Sequence, residues 1–303
     1  MSKLYAGIAH SQFMPDLKKE VGPFFLEHER LLVSKTIPEK IPLFAQVQSF
    51  ECEILHVASI SQAAKALRER GKFWAGYSPQ LYRRTQLISE QLPQKKVPLI
   101  KFAQIYEGPE FGFFSLLNAN EILIAPHTKN PFPLGEVLFE EDKVNPPSRA
   151  YLKLWELISL HGITPQKNQT VLDFGSCPGG WTWVLQSLGC KVVSVDKAPL
   201  APQVASLPNV TFRKQDAFKL KPNDIGPLDW FFSDIICYPK DLIELIEMWT
   251  QSGLCKNFVC TVKFQGETDF ASLDILRSRF GAKIVHLYYN KHEVTAIITP
   301  TNN

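Results

Sequence analysis

Short apolar runs, each followed by a turn signal, punctuate the second half of the chain. Runs at 170–174, 191–196, 209–213, 228–234, 257–263, 283–288 and 293–299 are rich in Val, Ile, Phe and Trp and predict strands. Between them, 148–160, 179–188, 240–251 and 268–279 carry apolar residues at helical spacing. Strands alternating with helices imply a mostly parallel sheet covered on both faces. Only Tyr289-Asn290-Lys291-His292 separates the last two runs, so that pair must be antiparallel, because parallel strands need a long crossover.

Residues 1–127 are patterned differently. Phe111–Leu117 and Glu121–Ala125 flank Asn118-Ala-Asn120 and predict a hairpin. Ile60–Arg70 predicts a helix, with Ser59 as its cap, Gln62 completing a capping box, and Ala63, Ala64 and Leu67 facing inward. Pro131, Pro133, Pro146 and Pro147 fall in a passage, 128–147, that reads as a linker. The expected organisation is therefore a smaller α+β domain over 1–127, a linker, and an α/β domain over 148–303. A chain of 303 residues fits two cores better than one.

One turn carries more than punctuation. In Val171-Leu-Asp-Phe-Gly-Ser-Cys-Pro-Gly-Gly-Trp181 a strand ends in Asp173, and Pro178-Gly179-Gly180 opens a helix. The next strand ends in Asp196. Glycines let backbone approach a ligand, and a strand-end carboxylate can bind ribose hydroxyls. The spacing G-x-x-x-G-G is not the dinucleotide pattern and offers no pyrophosphate cradle. It suits S-adenosylmethionine (SAM), which has no phosphate. Gly175, Ser176, Cys177, Pro178, Gly179, Gly180 and Trp181, with Asp173 and Asp196, are the candidate cofactor residues.

Charge adds a second theme. The net charge is only +3, but from Lys65 to Lys101 nine basic residues meet two acids, interleaved with Phe73, Trp74, Tyr77 and Tyr82. Basic side chains bind phosphates and exposed aromatics stack on unpaired bases. The alternative is a solvated helix face with core aromatics. Lys72, Arg83 and Arg84 are the candidate RNA contacts here, with Lys129 and Arg149 as a second group. The six cysteines form no C-x-x-C pair and read as buried, reduced thiols of a cytosolic protein, with no metal site expected. No run is long and apolar enough for a membrane span, and no secretory signal is evident at the N-terminus.

Four polar residues interrupt apolar segments of the second domain: Lys153 in its first helix, Asp234 and Lys263 at strand ends, and Glu293 at the start of the last strand. A lysine ending an apolar central strand is costly to bury. Partly desolvated near other cations, Lys263 is expected to have a depressed pKa and to serve as a base.

Together, K-D-K-E around D-x-G-x-x-P-G-G resembles the FtsJ/RrmJ-type RNA ribose 2′-O-methyltransferases. Pro147-Ser-Arg-Ala-Tyr-Leu-Lys-Leu154, Asp173–Thr182, Asp216-Ala-Phe-Lys219 and Glu293-Val-Thr295 carry the resemblance, which covers 128–299. It implies a Rossmann-like SAM-methyltransferase sheet, mostly parallel with an antiparallel C-terminal hairpin, and a ribose 2′-hydroxyl of RNA as substrate. Within the group the pattern is nearest that of bacterial enzymes acting on 23S-type ribosomal RNA. Those carry a longer N-terminal region with a THUMP RNA-binding domain; the first half here is shorter. By resemblance Lys263 is the base, Asp234 orients it, and Lys153 and Glu293 position the ribose. Asp196 binds the SAM ribose, Asp216 the adenine amino group, and the loop from Gly175 to Gly180 the methionine part. Two other readings stay open: cytosine C5 methylation through Cys237, and an RNA-binding protein that kept the fold without catalysis.

Overall fold

Each half of the chain builds its own seven-stranded sheet in the computed structural model, which describes residues 3–10 and 12–300. The chain divides into two compact units, one of residues up to 99 with 107–138, the other of 100–106 with 139 onward. The proline-bearing passage 128–147 is shared between them.

The first unit contains β1 (Leu4–Ala9), α1 (Met14–Val21), β2 (Leu26–His28), β3 (Leu31–Ser34), β4 (Ala45–His56), α2 (Ile60–Arg70), β5 (Trp74–Gly76), α3 (Tyr82–Ser89), β6 (Gly112–Asn118) and β7 (Glu121–Ala125). Its strands run in the order β2-β3-β1-β4-β7-β6-β5, antiparallel except at β5–β6. Strand alternation sorts the core. Phe114, Leu116, Ile122 and Ile124 pack with Ala63, Ala64 and Leu67 of α2, while Phe113, Leu123 and Ala125 pack with Leu4, Ile8 and Val33. The Ser59 hydroxyl accepts from the N–H of Gln62 at 3.1 Å. The Gln62 amide oxygen accepts from the N–H of Ala58, one residue before the cap, at 2.7 Å.

The second unit contains α4 (Tyr151–His161), β8 (Thr170–Phe174), α5 (Gly180–Ser187), β9 (Lys191–Asp196), α6 (Pro202–Ala205), β10 (Val210–Lys214), β11 (Trp230–Ser233), α7 (Pro239–Gln251), β12 (Phe258–Lys263), α8 (Phe270–Phe280), β13 (Lys283–Val285) and β14 (Glu293–Ile298). The order is β10-β9-β8-β11-β12-β14-β13. The first five strands are parallel, and β14 is inserted antiparallel between β12 and β13. This is the mostly parallel sheet with an antiparallel C-terminal hairpin that the strand pattern implied. Strand order reverses at β8, between β9 and β11, and open sheets of this kind bind ligands at the carboxyl ends beside such a point. Helix α4 is buried along Tyr151–Ser159. Trp155 meets Phe102 at 5.2 Å and Phe139 at 5.7 Å between ring centroids, so the segment 100–106 belongs to this core.

The expected last strand pair differs in one respect. β13 stops at Val285 rather than running to 288, and the connection 286–292 is longer than the four residues read from the sequence. The N–H groups of Tyr288 and Tyr289 bond to the Glu156 carboxylate.

Candidate active site

Antiparallel pairing of β12 with β14 sets Lys263 directly opposite Glu293. A slip of one residue would turn one side chain to the other face of the sheet. Thr261 lies two residues before Lys263 and so shares its face. Asp234 follows the last residue of β11, and its N–H is held by the carbonyl of Phe174 at the end of β8 at 3.1 Å. Lys153 enters from α4.

The four side chains form a closed set of alternating charge. Lys153 Nζ donates to both Asp234 oxygens at 2.8 Å and to Glu293 Oε1 at 2.9 Å. Lys263 Nζ donates to Asp234 Oδ1 at 2.7 Å and lies 3.2 Å from Glu293 Oε2. Thr261 Oγ1 donates to Asp234 Oδ1 at 2.7 Å. Two ammonium groups thus face two carboxylates, which is what allows charge this deep: Lys153 is only 6% exposed. The Lys153 ammonium also lies 5.8 Å from the centre of the Trp181 ring.

This arrangement overturns the depressed pKa expected of Lys263. Burial does push its pKa down, but Asp234 and Glu293 outweigh burial and hold it above the usual lysine value. Asp234 shows the mirror effect. Burial raises it, yet Lys153 and Lys263 bring it below the usual carboxylate range.

Beside the quartet opens a cavity of about 410 Å³. Gly175, Cys177, Asp196, Asp216 and Asp234 line it, with Lys263 at its edge. Val195, Lys197, Ala217, Phe218, Ile235 and Ile236 also line it, and the sequence reading had not singled them out. Asp196 receives the N–H of Cys177 at 3.0 Å and that of Ala198 at 2.8 Å, which fixes its carboxylate at the tip of β9. Asp216 accepts from the Phe218 N–H at 3.1 Å and pairs with Lys197 at 3.0 Å. Gly175 has φ +71°, and a Cβ there would sit 2.6 Å from Ile235 Cα, so only glycine lets the loop after β8 pass the loop bearing Asp234.

Asp173, Ser176, Pro178, Gly179, Gly180 and Trp181 lie outside the cavity lining. Asp173 is fully buried; its Oδ2 accepts from Thr182 at 2.6 Å, while its Oδ1 has no hydrogen-bond partner. Burial pushes its carboxyl up to about 7. Gly179, φ +114°, starts α5, and Trp181 bonds the carbonyl of Ala150 at 3.0 Å, tying α5 to α4.

The cysteine reading needs one correction: Cys177 is exposed at the cavity, while the other five are buried and all six are free. Cys237 is buried beside the quartet, and burial pushes its thiol up to about 11. No group of three or more potential metal ligands exists among the described residues.

The basic window of the first unit is less uniform than its sequence. Tyr82 is 73% exposed, but Trp74 is core, Phe73 packs on Phe111 at 5.7 Å, and the Tyr77 hydroxyl accepts from the Arg30 N–H. Of the four aromatics Tyr82 is exposed, Phe73 and Tyr77 are half-buried and Trp74 is buried. Arg83 and Lys72 are exposed; Arg84 is half-buried, with Nε lacking a hydrogen-bond partner. Arg70 is held by Glu53. Lys129 belongs to the first unit, and Arg149, paired with Glu141 at 2.7 Å, to the second.

Residues 146–287 match the family model of FtsJ-like methyltransferases. The chain is 32% identical over 161 residues to ribosomal RNA large subunit methyltransferase M of Halorhodospira halophila, covering 50% of this chain and 46% of that protein. The protein of the same name from Azoarcus sp. is 29% identical over 186 residues, covering 56% and 50%. The chain thus spans about half the length of the curated relatives it matches. Among solved structures, Aeropyrum pernix fibrillarin with bound S-adenosyl-L-methionine aligns at 14% identity and TM-score 0.37, covering 61% of this chain and 81% of that one. No helix of the described residues is long and apolar enough to cross a membrane. The segment 146–287, which matches the FtsJ-like methyltransferase model, is also the one that supplies Lys153, Asp234, Lys263 and the cavity.

Proposed function

We propose that this protein transfers a methyl group from SAM to a ribose 2′-hydroxyl of RNA, with large-subunit ribosomal RNA as the substrate. The observation that carries the reading is the closed set of Lys153, Asp234, Lys263 and Glu293 at the edge of a ligand-sized cavity.

The cavity fits SAM by the chemistry of its walls. Three carboxylates, Asp196, Asp216 and Asp234, suit ribose hydroxyls, amino groups and a cationic sulfonium, with Lys197 and Lys263 balancing Asp216 and Asp234. Val195, Ala217, Phe218, Ile235 and Ile236 supply an apolar bed for a purine. Asp196 keeps acceptor capacity for a ribose beyond its two backbone bonds. When bound, SAM supplies an electrophilic methyl carbon on its sulfonium.

The chain's residues do the rest. Lys153 and Glu293, locked to each other, hold the ribose of the target nucleotide at the quartet. Lys263 Nζ would take the proton of the 2′-hydroxyl, leaving that oxygen free to accept the methyl group that SAM would supply. Asp234 and Glu293 then stabilise the resulting ammonium. Because those carboxylates raise the Lys263 pKa, its neutral form is a minority at neutral pH but a strong base. Exposed Lys72 and Arg83, with Tyr82, favour RNA recruitment by the first unit, and Lys129 and Arg149 add further positive charge. The six free thiols favour a reducing, cytoplasmic setting. A thiol at about 11 is poorly suited to nucleophilic attack, which counts against C5 methylation by Cys237.

The direct test incubates the protein with methyl-labelled SAM and RNA from cells lacking the gene, then digests the RNA to nucleosides. Label in a 2′-O-methylnucleoside is expected. Label in 5-methylcytidine, or none, would overturn the reading.

A further inference from the structure

Glu156 is a carboxylate inside an otherwise apolar stretch of α4, only 4% exposed. It lies three residues after Lys153, on the same face of the helix. Its Oε1 accepts the N–H of Tyr288 at 2.9 Å and its Oε2 that of Tyr289 at 3.4 Å. Those residues sit in the connection from β13 to β14, which ends in Glu293. Two further bonds tighten that connection: Asn290 N–H to the Leu287 carbonyl at 3.0 Å, and Glu293 N–H to the Lys291 carbonyl at 2.8 Å.

We infer that Glu156 is a positioning residue: it registers the helix bearing Lys153 against the segment that delivers Glu293, and so sets the contacts of Glu293 with both lysines. The geometry gives such a link a task. The Lys153–Glu293 pair joins residues 140 apart in sequence and needs a distance of 2.9 Å. The ion pair alone does not fix the backbone leading into Glu293, where the β12–β14 ladder ends. A carboxyl group whose two oxygens accept from two successive N–H groups does. Glu156 also carries a cost that packing alone would not justify, since burial pushes its carboxyl up to about 8 against the pull of the two N–H donors. Its role in catalysis rests on the methyl-transfer reading above; its role in holding Glu293 does not.

The test uses Glu156→Ala and Glu156→Gln in the full chain, with two independent readouts. The first is steady-state methyl transfer. Small misplacement of reacting groups costs up to about 100-fold, so Glu156→Ala should lower kcat by about 10–100-fold, with KM for RNA and Kd for SAM nearly unchanged. The second is the titration of Lys263, followed by NMR of ¹³C-lysine protein and assigned with Lys263→Arg. Lys263 is faced by Asp234, Glu293 and Thr261, with Lys153 behind the carboxylates and Cys237 nearby. Loosening Glu293 removes one of the two charges that raise Lys263, so its midpoint should fall. Glu156→Gln keeps a carbonyl oxygen for one N–H and should lie between Ala and wild type on both readouts. An unchanged kcat with an unmoved Lys263 midpoint would overturn the inference, as would loss of SAM affinity in step with kcat. If the Ala variant does not fold, wild-type behaviour of Glu156→Gln on both readouts overturns it. If the wild type yields no 2′-O-methylnucleoside, the functional reading fails, and the Lys263 titration still decides the positioning role.

Discussion

Replacing Asp234 by Asn preserves shape and removes one charge from the quartet. Lys153 and Lys263 would then share Glu293 alone. In the wild type Asp234 receives both lysines and Thr261 within 2.8 Å, and its side chain is 14% exposed. Solvent therefore cannot replace what the carboxylate supplied. Breaking a buried pair from one side costs about 3–5 kcal/mol, and a unit of this size loses about 2–4 °C per kcal/mol, so its Tm should fall by about 6–20 °C. The assay is thermal unfolding followed by tryptophan fluorescence. Trp155, Trp181, Trp183, Trp230 and Trp249 all lie in the second unit and only Trp74 in the first, so the signal reports the unit that holds the quartet. Adding Lys153→Met to Asp234→Asn removes the surplus cation and should return about 0.5–3 kcal/mol relative to the sum of the single effects. If Asp234→Asn melts with the wild type, the quartet is not a mutually dependent buried set and the reasoning fails.

Four further outcomes are expected. The rate of methyl transfer should climb with pH through 9 without levelling, because Lys263 titrates above the usual lysine value; a plateau near neutrality would contradict the two-carboxylate argument. For stability the signs are opposite: the Lys263 contribution is full below its unfolded pKa and is lost as pH rises through its elevated folded value. The Asp234 contribution is full above its unfolded pKa and is lost as pH falls through its depressed one, which pH-dependent urea unfolding would show. Asp196→Ala should weaken SAM binding by about 1–3 kcal/mol, and calorimetry returning the wild-type affinity would mean that the ribose lies elsewhere. Reversing exposed Lys72 and Arg83 to Glu should lower RNA affinity and flatten its salt dependence by up to about 0.7–0.9 in log–log slope per lost contact, with SAM affinity intact; identical salt titrations would place RNA elsewhere.

Much of the second unit was legible because its strands announce themselves locally. Thr170–Phe174 and Lys191–Asp196 are apolar runs bounded by turn residues, and the structure starts and ends them where the pattern does. α2 was legible to the residue because Ser59, Gln62 and the apolar spacing all agree. α6 was missed because it is four residues opened by a proline, too short for a period to show. β13 was read too long because Ile284–Tyr289 is as apolar as a strand, while the backbone of Tyr288 and Tyr289 bonds to a distant carboxylate instead of a neighbouring strand. The charges of the quartet stood out as polar interruptions of apolar runs. Their consequence for Lys263 did not, because a pKa depends on distances to Asp234 and Glu293 that no local pattern encodes. Glu156 had a visible signal, an acid in a helix that is otherwise buried, and Thr261 had a subtler one, its shared face with Lys263.

The span between Lys153 and Glu293 also orders events during synthesis. The α4 lysine is made well before the carboxylate that balances it, with β8 to β13 emerging in between. Until β14 is inserted between β12 and β13, the chain presents two ammonium groups to one carboxylate, and the central strand that ends in Lys263 has an open edge. Insertion of one strand closes the sheet, neutralises the charge and completes the chemical centre together. A nascent or truncated second unit lacking β14 therefore lacks Glu293 and a neighbour for β12, so under the proposed function methyl transfer would serve as a readout of finished folding.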